Sequence, residues 1–136
     1  MVSAQTINQL VSTGGLAMPA RCVSVNDREA VAMVVPDEAA IRPGGYISGP
    51  TQFGVADAAL WFLVFGALGR IELMALTSEL SIRFLRPAVG QEVFARARLD
   101  KAGSRLVVGT ISVWTDDHED RPCAVAQGTY TLPDSQ

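Results

Sequence analysis

Residues 49–69 read GPTQFGVADAALWFLVFGALG, and this stretch decides the fold. It is apolar almost from end to end, and its one ionisable residue is Asp57. Pro50 suits the first turn of a helix, where its missing N–H is not needed, and Gly69 suits the position just after a helix end. The stretch therefore predicts one long helix that starts near Gly49.

A membrane-spanning helix is the first alternative for this stretch. Residues 53–68 number only 16, whereas a spanning helix needs about 20 apolar residues. An Asp at the centre of such a span would cost about 3 kcal/mol. A buried helix in a soluble protein is the better interpretation, and we expect no membrane partner.

Downstream of the helix, the hydrophobic period changes from 3.6 residues to 2, which is typical of a half-buried strand. In residues 72–85, ELMALTSELSIRFL, one face carries Leu80, Ile82 and Phe84, and the other carries Thr77 and Arg83. Connections as short as those in this chain pair neighbouring strands antiparallel. Further strands are predicted over residues 20–26, 29–35, 91–99, 104–115 and 122–132, with turns at 26–28 and 100–103 and an acidic loop at 116–120.

A helix that is apolar nearly all round must be covered on nearly all sides. A curved antiparallel sheet wrapped around this single helix does so, which makes the fold class α+β, and a second copy of the chain would cover the rest. We expect one domain over residues 1–136. Within it, residues 1–19 form an N-terminal extension or a short helix, the latter over residues 3–12.

Length, charge and cysteine content narrow the functional classes. The chain has 136 residues, of which 49% are hydrophobic, and a net charge of -3. This balance offers no basic surface for nucleic acid. Cys22 and Cys123 lie far apart and in no metal-ligand spacing, so we expect two reduced thiols, no metal site and a cytoplasmic location. The N-terminus has neither the basic start nor the apolar run of a signal peptide, and we expect none.

Three motifs resemble those of one enzyme family. Ser48-Gly49-Pro50 starts the predicted helix and Ala56-Asp57 follows inside it, residues 77–87 read TSELSIRFLRP, and Gly128-Thr129-Tyr130 lies near the C-terminus. Over about residues 20–133, the chain resembles the hotdog-fold acyl-CoA thioesterases of the phenylacetate-degradation type. That branch carries H-G-G-x-x-x-x-x-A-D at the first motif. This chain has Ser48 in place of the histidine and Pro50 in place of the second glycine.

The resemblance implies an acyl-CoA thioesterase whose coenzyme A is part of the substrate and which has no separate cofactor. Asp57 would act as nucleophile or general base, and the backbone N–H of Gly49 would polarise the thioester carbonyl from the helix N-terminus. Ser48 would hydrogen-bond near the site. Thr51 is a further candidate for a backbone donor.

Helix geometry and the resemblance both favour a dimer. Gly49 and Asp57 are eight residues apart, or about 12 Å along one helix, whereas both must lie close to the reacting carbonyl. We therefore expect each site to be shared between two chains of a homodimer, and such dimers can pair again into a dimer of dimers.

Other side chains are candidates for contact with the substrate. Arg83, Arg86 and Arg105 suit the phosphates of coenzyme A, with ordinary surface charge as an equal alternative. The acyl group is expected to be hydrophobic, either aromatic or of short or medium chain length. The residues expected to contact the substrate, apart from the arginines, are Pro50, Phe53, Leu60, Trp61, Phe62 and Thr77.

Alternatives to this site remain open from the sequence. Asp57 could be structural, although its helix neighbours Phe53, Gly54, Leu60 and Trp61 offer it no polar partner. A non-catalytic hotdog module that binds acyl-CoA or another acyl ligand would use the same fold. A hotdog dehydratase is disfavoured because such enzymes use a histidine. The only one, His118, falls in the acidic loop, which also argues against a Ser-His-Asp triad.

Overall fold

The computed structural model describes residues 2–13 and 18–134, and residues 1, 14–17 and 135–136 lie outside the described part. Its helices are α1 (Ala4–Thr13) and α2 (Gly49–Leu68), with a short 3-10 helix at Glu38–Ala40. Its strands are β1 (Arg21–Val25), β2 (Glu29–Val34), β3 (Ile41–Arg42), β4 (Tyr46–Ile47), β5 (Leu76–Phe84), β6 (Val93–Ala102), β7 (Leu106–Thr115) and β8 (Ala124–Thr131).

Six of the strands form one sheet in the order β1-β2-β6-β7-β8-β5, and every neighbouring pair is antiparallel. The strands predicted from the hydrophobic pattern are therefore confirmed. The turn predicted at residues 100–103 is misplaced, because β6 runs on to Ala102 with an irregular register between Leu99 and Lys101. The separate β3–β4 hairpin was not predicted.

Helix α2 lies across one face of this sheet, and its ends form as the sequence predicts. The side chain of Ser48 accepts a hydrogen bond from the N–H of Thr51 at the start, and Gly69 ends the helix in the left-handed conformation with φ of 72°. Length and composition alone would let α2 cross a membrane, but 61% of its most apolar window is buried inside the fold. The helix is thus the core of an α+β hotdog fold.

Two glycines of the sheet allow α2 to approach closely. Gly109 of β7 pairs with Gly128 of β8. A β-carbon added at either would lie 2.8 or 2.9 Å from the side chain of Leu60, which sits above them. This contact fixes the height of α2 over the strands. It explains the glycine of the Gly128-Thr129-Tyr130 motif.

Replacing Gly128 with alanine is expected to lower the free energy of unfolding by about 1 to 3 kcal/mol, because overpacked cores cost that much. The added carbon would lie 3.0 Å from the backbone oxygen of Glu79 as well as against Leu60. Gly54→Ala is the matched control, since nothing lies within 4 Å of its added carbon and alanine favours helix. Urea unfolding measures both variants. A wild-type midpoint for Gly128→Ala would contradict the close packing.

Residues 2–13 and 18–134 leave at least two apolar surfaces uncovered. On α2, Pro50, Phe53 and Gly54 are exposed, and the half-buried Asp57 and Trp61 lie on the same side. The second surface is β5, one of the two edge strands of the sheet. Its apolar side chains and their neighbours include Met74, Leu76, Phe84 and Leu85, which are exposed by 64%, 63%, 49% and 44%.

Candidate active site

Asp57 lies in the third turn of α2, where two strands supply the partners that its helix neighbours lack. The hydroxyl groups of Thr77 on β5 and Tyr130 on β8 each donate to Oδ1 of Asp57, at 2.8 Å. No described residue donates to the other carboxylate oxygen, Oδ2. The carboxylate is therefore held through one oxygen, and the residue lies on the side of α2 that the described residues leave uncovered.

Thr77 reaches Asp57 because the register of β5 shifts between Thr77 and Glu79. Strict alternation placed Thr77 on the face opposite Leu80, and that assignment is wrong. The extra residue of the bulge, Ser78, turns Thr77 towards α2, on the same side as Leu80 and Ile82. Bulges commonly redirect a side chain in this way beside functional sites. Thr77 thus contacts the carboxylate, a role that differs from the substrate contact expected for it.

Tyr130 is a candidate site residue to which the sequence alone assigned no role. Its side chain is 4% exposed. Burial raises the pKa of its hydroxyl above the ordinary value, and the negative charge of Asp57 raises the pKa further. The phenol therefore stays protonated at neutral pH and can donate to the carboxylate. The Gly-Thr-Tyr motif was the signal, but only the fold shows that its tyrosine lies next to residue 57.

We expect Tyr130→Phe to lower kcat of the hydrolysis that the family resemblance implies by about 10- to 100-fold, because Asp57 loses one of its two donors and a misplaced catalytic group can cost about 100-fold. The ring and its packing remain and Thr77 still donates to Asp57, so the free energy of unfolding should fall by no more than about 1.5–3 kcal/mol, the contribution of one hydrogen bond to a charged group. KM should also change little, because the hydroxyl positions Asp57 and does not contact substrate. An unchanged kcat would contradict a positioning role, and a loss of stability larger than that one hydrogen bond would indicate that Tyr130 acts mainly through packing.

The N-terminus of α2 carries the second candidate group. No described residue accepts a hydrogen bond from the N–H of Gly49, and Pro50 has no N–H. The N–H of Thr51 is used, because it donates to Oγ of Ser48 at 3.3 Å. The hydroxyl of Ser48 also lies 2.8 Å from that of Thr51. Ser48 therefore acts as the helix cap, and Gly49 is left as the donor that faces outward.

A cavity of about 410 Å³ opens beside Gly49. The ring of Phe84 forms one wall, and a β-carbon added at Gly49 would lie 3.2 Å from it. Arg86 lines the same cavity, and its guanidinium donates to the carbonyl of Pro122. This arrangement places one arginine and one free backbone donor around a single opening.

The remaining candidates are spread over the molecule. Leu60 and Phe62 are fully buried in the core, so the expectation that they line an acyl pocket is wrong. Phe53 is 38% exposed on the side of α2 that carries Asp57, and Trp61 packs edge-on against Phe65. The last two candidates are arginines. Arg83 alternates with Ile82 and Phe84 along β5, so its side chain faces away from α2. Arg105 is exposed and pairs with Asp134 at 3.2 Å.

Cysteine, histidine and acidic side chains complete the survey of the described residues. Within residues 2–13 and 18–134, no three such side chains are grouped as a metal ion would require. Cys22 and Cys123 are free and buried. The sequence predicted Cys123 within a strand, but it lies just before β8 begins. His118 is exposed and its nearest acidic partner is Asp117, at 3.6 Å.

Comparison with known proteins places this geometry in a family. The model of the thioesterase superfamily matches residues 44–121, more than half of the chain. A solved structure of a candidate thioesterase from Silicibacter sp. is 30% identical, with a TM-score of 0.78 over 93% of this chain and 88% of that one. No curated protein sequence matches the chain.

Two more distant structures share the fold. A thioesterase from Haemophilus influenzae is 19% identical, with a TM-score of 0.82 over 98% of this chain and 92% of that one. A mutant of the phenylacetic acid degradation protein PaaI from Thermus thermophilus is 18% identical, with a TM-score of 0.70 over 86% of this chain and 96% of that one. The family match, the 30% identical relative and the fold agree: the chain belongs to the thioesterase superfamily and is a thioester hydrolase.

Proposed function

We propose that this hydrolase cleaves hydrophobic acyl-CoA thioesters at a site that two copies of the chain form together. The observation that carries the proposal is the carboxylate of Asp57. Thr77 and Tyr130 both hold Oδ1, at 2.8 Å, no described residue donates to Oδ2, and Asp57 lies on the uncovered side of α2. A carboxylate oriented in this way can attack a carbonyl carbon or take a proton from water.

Gly49 supplies the complementary group. Hydrolysis places negative charge on the carbonyl oxygen, and a free N–H at a helix N-terminus stabilises such a charge. The missing side chain of Gly49 lets the carbonyl approach the backbone closely. The departures at positions 48 and 50 leave this donor intact, because Ser48 caps Thr51 and Pro50 has no N–H to offer.

The distance between these two groups favours a shared site. Both belong to one continuous helix, Gly49–Leu68, so they are separated by about 12 Å in one chain. A second α2 packed antiparallel around a two-fold axis would bring Gly49 of one chain to Asp57 of the other, twice in each dimer. The uncovered side of α2 and the apolar edge strand β5 are the surfaces such a dimer would bury.

Two routes balance the reaction, and both use only water and the thioester. In the first, Asp57 takes a proton from water, the hydroxide adds to the carbonyl carbon, and the C–S bond breaks as the thiolate is protonated. In the second, Oδ2 of Asp57 bonds to the carbonyl carbon as the C–S bond breaks, and water then hydrolyses the anhydride. Each route yields a carboxylic acid and free coenzyme A.

The setting of the enzyme is part of the proposal. We place it in the cytoplasm as a homodimer or a dimer of dimers, with no nucleic-acid or membrane partner, no metal and no cofactor beyond the coenzyme A of its substrate. The two free buried cysteines support a reducing compartment. The net charge of -3 supports the absence of a nucleic-acid partner.

The test is a panel of acyl-CoA thioesters, aliphatic and aromatic, with the release of free coenzyme A followed over time. We expect turnover of at least one hydrophobic member. Thiol reagents are usable, because burial of the side chain raises the pKa of Cys22 to about 12 and also raises that of Cys123, so neither thiol reacts readily. Binding of acyl-CoA without turnover across the panel would contradict the proposal and indicate a non-catalytic binding module.

A further inference from the structure

A second cavity, of about 310 Å³, lies beside the first two turns of α2. Its walls come from three segments: the approach to β1, the end of β2 with the 3-10 helix that follows, and α2 itself. Side chains from all three walls are small or aliphatic, and they include Ala20, Val34, Pro36, Ala40, Gly54 and Val55. None of the residues that line the cavity is aromatic.

The polar side chains at this cavity are already hydrogen-bonded. Asp37 accepts from the backbone N–H of Ala40 at 3.1 Å, and the hydroxyl of Thr51 lies 2.8 Å from that of Ser48. Among the described residues, no Lys, Arg or His lines the cavity. An anionic group inside it would therefore lose its hydration beside the carboxylate of Asp37 without gaining a cationic partner, which is costly, whereas a hydrocarbon group would gain from burial.

The N-terminus of α2 separates this cavity from the one that contains Arg86. Gly49 lines the cavity with Arg86, and the next residues, Pro50 and Thr51, line the apolar cavity. An acyl-CoA thioester is divided in the same way into an apolar end and a charged end. Its carbonyl lies between a hydrocarbon group and a thiol arm that ends in phosphates. A carbonyl bound at the N–H of Gly49 would thus have an apolar cavity on one side and an arginine on the other.

We propose that the apolar cavity is the acyl pocket and that it selects uncharged hydrocarbon acyl groups of about six to ten carbons. This inference rests on the proposed function and adds its substrate class. A volume of about 310 Å³ holds roughly ten groups of about 30 Å³, the share of one water molecule in the liquid and close to the size of a methylene. Acyl groups that carry a carboxylate are disfavoured because the lining has no described cationic side chain and already carries the carboxylate of Asp37.

Substitution of Gly54 by leucine tests the pocket from the helix side. Gly54 lines the cavity, and nothing lies within 4 Å of a β-carbon added there, so the first carbon of the new side chain is accommodated at the wall of the cavity. Each buried methylene contributes a factor of about four in affinity. We expect the ratio of kcat/KM for octanoyl-CoA to that for butanoyl-CoA to fall at least tenfold.

A second variant fills the pocket from the opposite wall. Gly54 also lies on the uncovered side of α2, so Gly54→Leu alone could act through the dimer. Ala40 lies on the 3-10 helix Glu38–Ala40 and not on that side, and Ala40→Leu should lower the same ratio. Ala67→Leu is the control: it enlarges a residue of the same helix about 20 Å further along, and we expect it to leave the ratio unchanged.

Binding separates this inference from the proposed function. In Asp57→Asn protein, Gly54→Leu should weaken octanoyl-CoA binding at least tenfold by calorimetry and leave binding of free coenzyme A unchanged. Lost selectivity for octanoyl groups in both pocket variants, with the oligomeric state retained, supports the pocket. An unchanged ratio and unchanged binding in both variants would overturn it and leave the thioesterase standing. Absence of turnover with octanoyl-selective binding would keep the pocket and overturn the catalytic proposal.

Discussion

Replacing Asp57 with asparagine is expected to lower kcat for acyl-CoA hydrolysis by at least a hundredfold. A positioned general base accelerates a reaction by about 10²–10⁴. Loss of a nucleophile costs more, because the bond between the acyl group and the enzyme can then no longer form. Asparagine has the same shape, but its amide neither attacks the thioester carbon nor takes a proton from water. The measurement is coenzyme A release from the best substrate of the panel, at saturating concentration.

The variant should fold, because the contacts of Asp57 survive the change. The amide oxygen of asparagine can accept from Thr77 and Tyr130 as Oδ1 of the carboxylate does. Binding of the intact substrate should therefore persist, and calorimetry with the same acyl-CoA detects it. Loss of both turnover and folded structure would leave a structural role for Asp57 as the explanation.

Asp100→Asn is the matched control for this substitution. Asp100 also accepts a hydrogen bond from a threonine hydroxyl, that of Thr110 at 2.6 Å, but it is exposed on β6, away from α2. The same loss of one charge should leave kcat within about twofold of wild type, since exposed substitutions away from a site have small effects. A kcat of Asp57→Asn equal to that of the wild type would contradict catalysis by this carboxylate.

The parts of the fold that depend on local pattern were predictable. A continuous apolar stretch located α2, and hydrophobic side chains that recur at every second residue located the six strands of the main sheet, because a strand with one buried face imposes that period on the sequence. Helix ends at Gly49 and Gly69 follow from proline and glycine chemistry. Asp57 stood out because it is the one ionisable residue of an apolar helix.

The parts of the site that depend on tertiary contacts were not predictable. A bulge at Ser78 breaks the alternation of β5, and a strictly alternating pattern carries no sign of it. Tyr130 lies 73 residues from Asp57 in sequence, and only the packing of α2 against β8 brings the two together. The β3–β4 hairpin is too short for a hydrophobic period to reveal.

Mixing two inactive variants is expected to restore activity if each site uses two chains. Gly49→Val should block the approach of the carbonyl to the backbone, and its added carbon would lie about 3.2 Å from the ring of Phe84. In a mixed dimer with Asp57→Asn, one site combines the intact Gly49 of one chain with the intact Asp57 of the other. The second site carries both changes and stays inactive.

Random assortment makes half of the dimers mixed, and each of these regains one of its two sites, so co-expression should recover about a quarter of the wild-type rate. Mixed dimers isolated with two different affinity tags should recover about half. Each variant alone should stay at least a hundredfold below wild type, which makes the recovery easy to detect. A site completed within one chain predicts no recovery in either preparation, because every chain then carries a defect. Recovery therefore tests directly whether Gly49 and Asp57, which lie about 12 Å apart along one α2, meet because a second chain supplies one of the two.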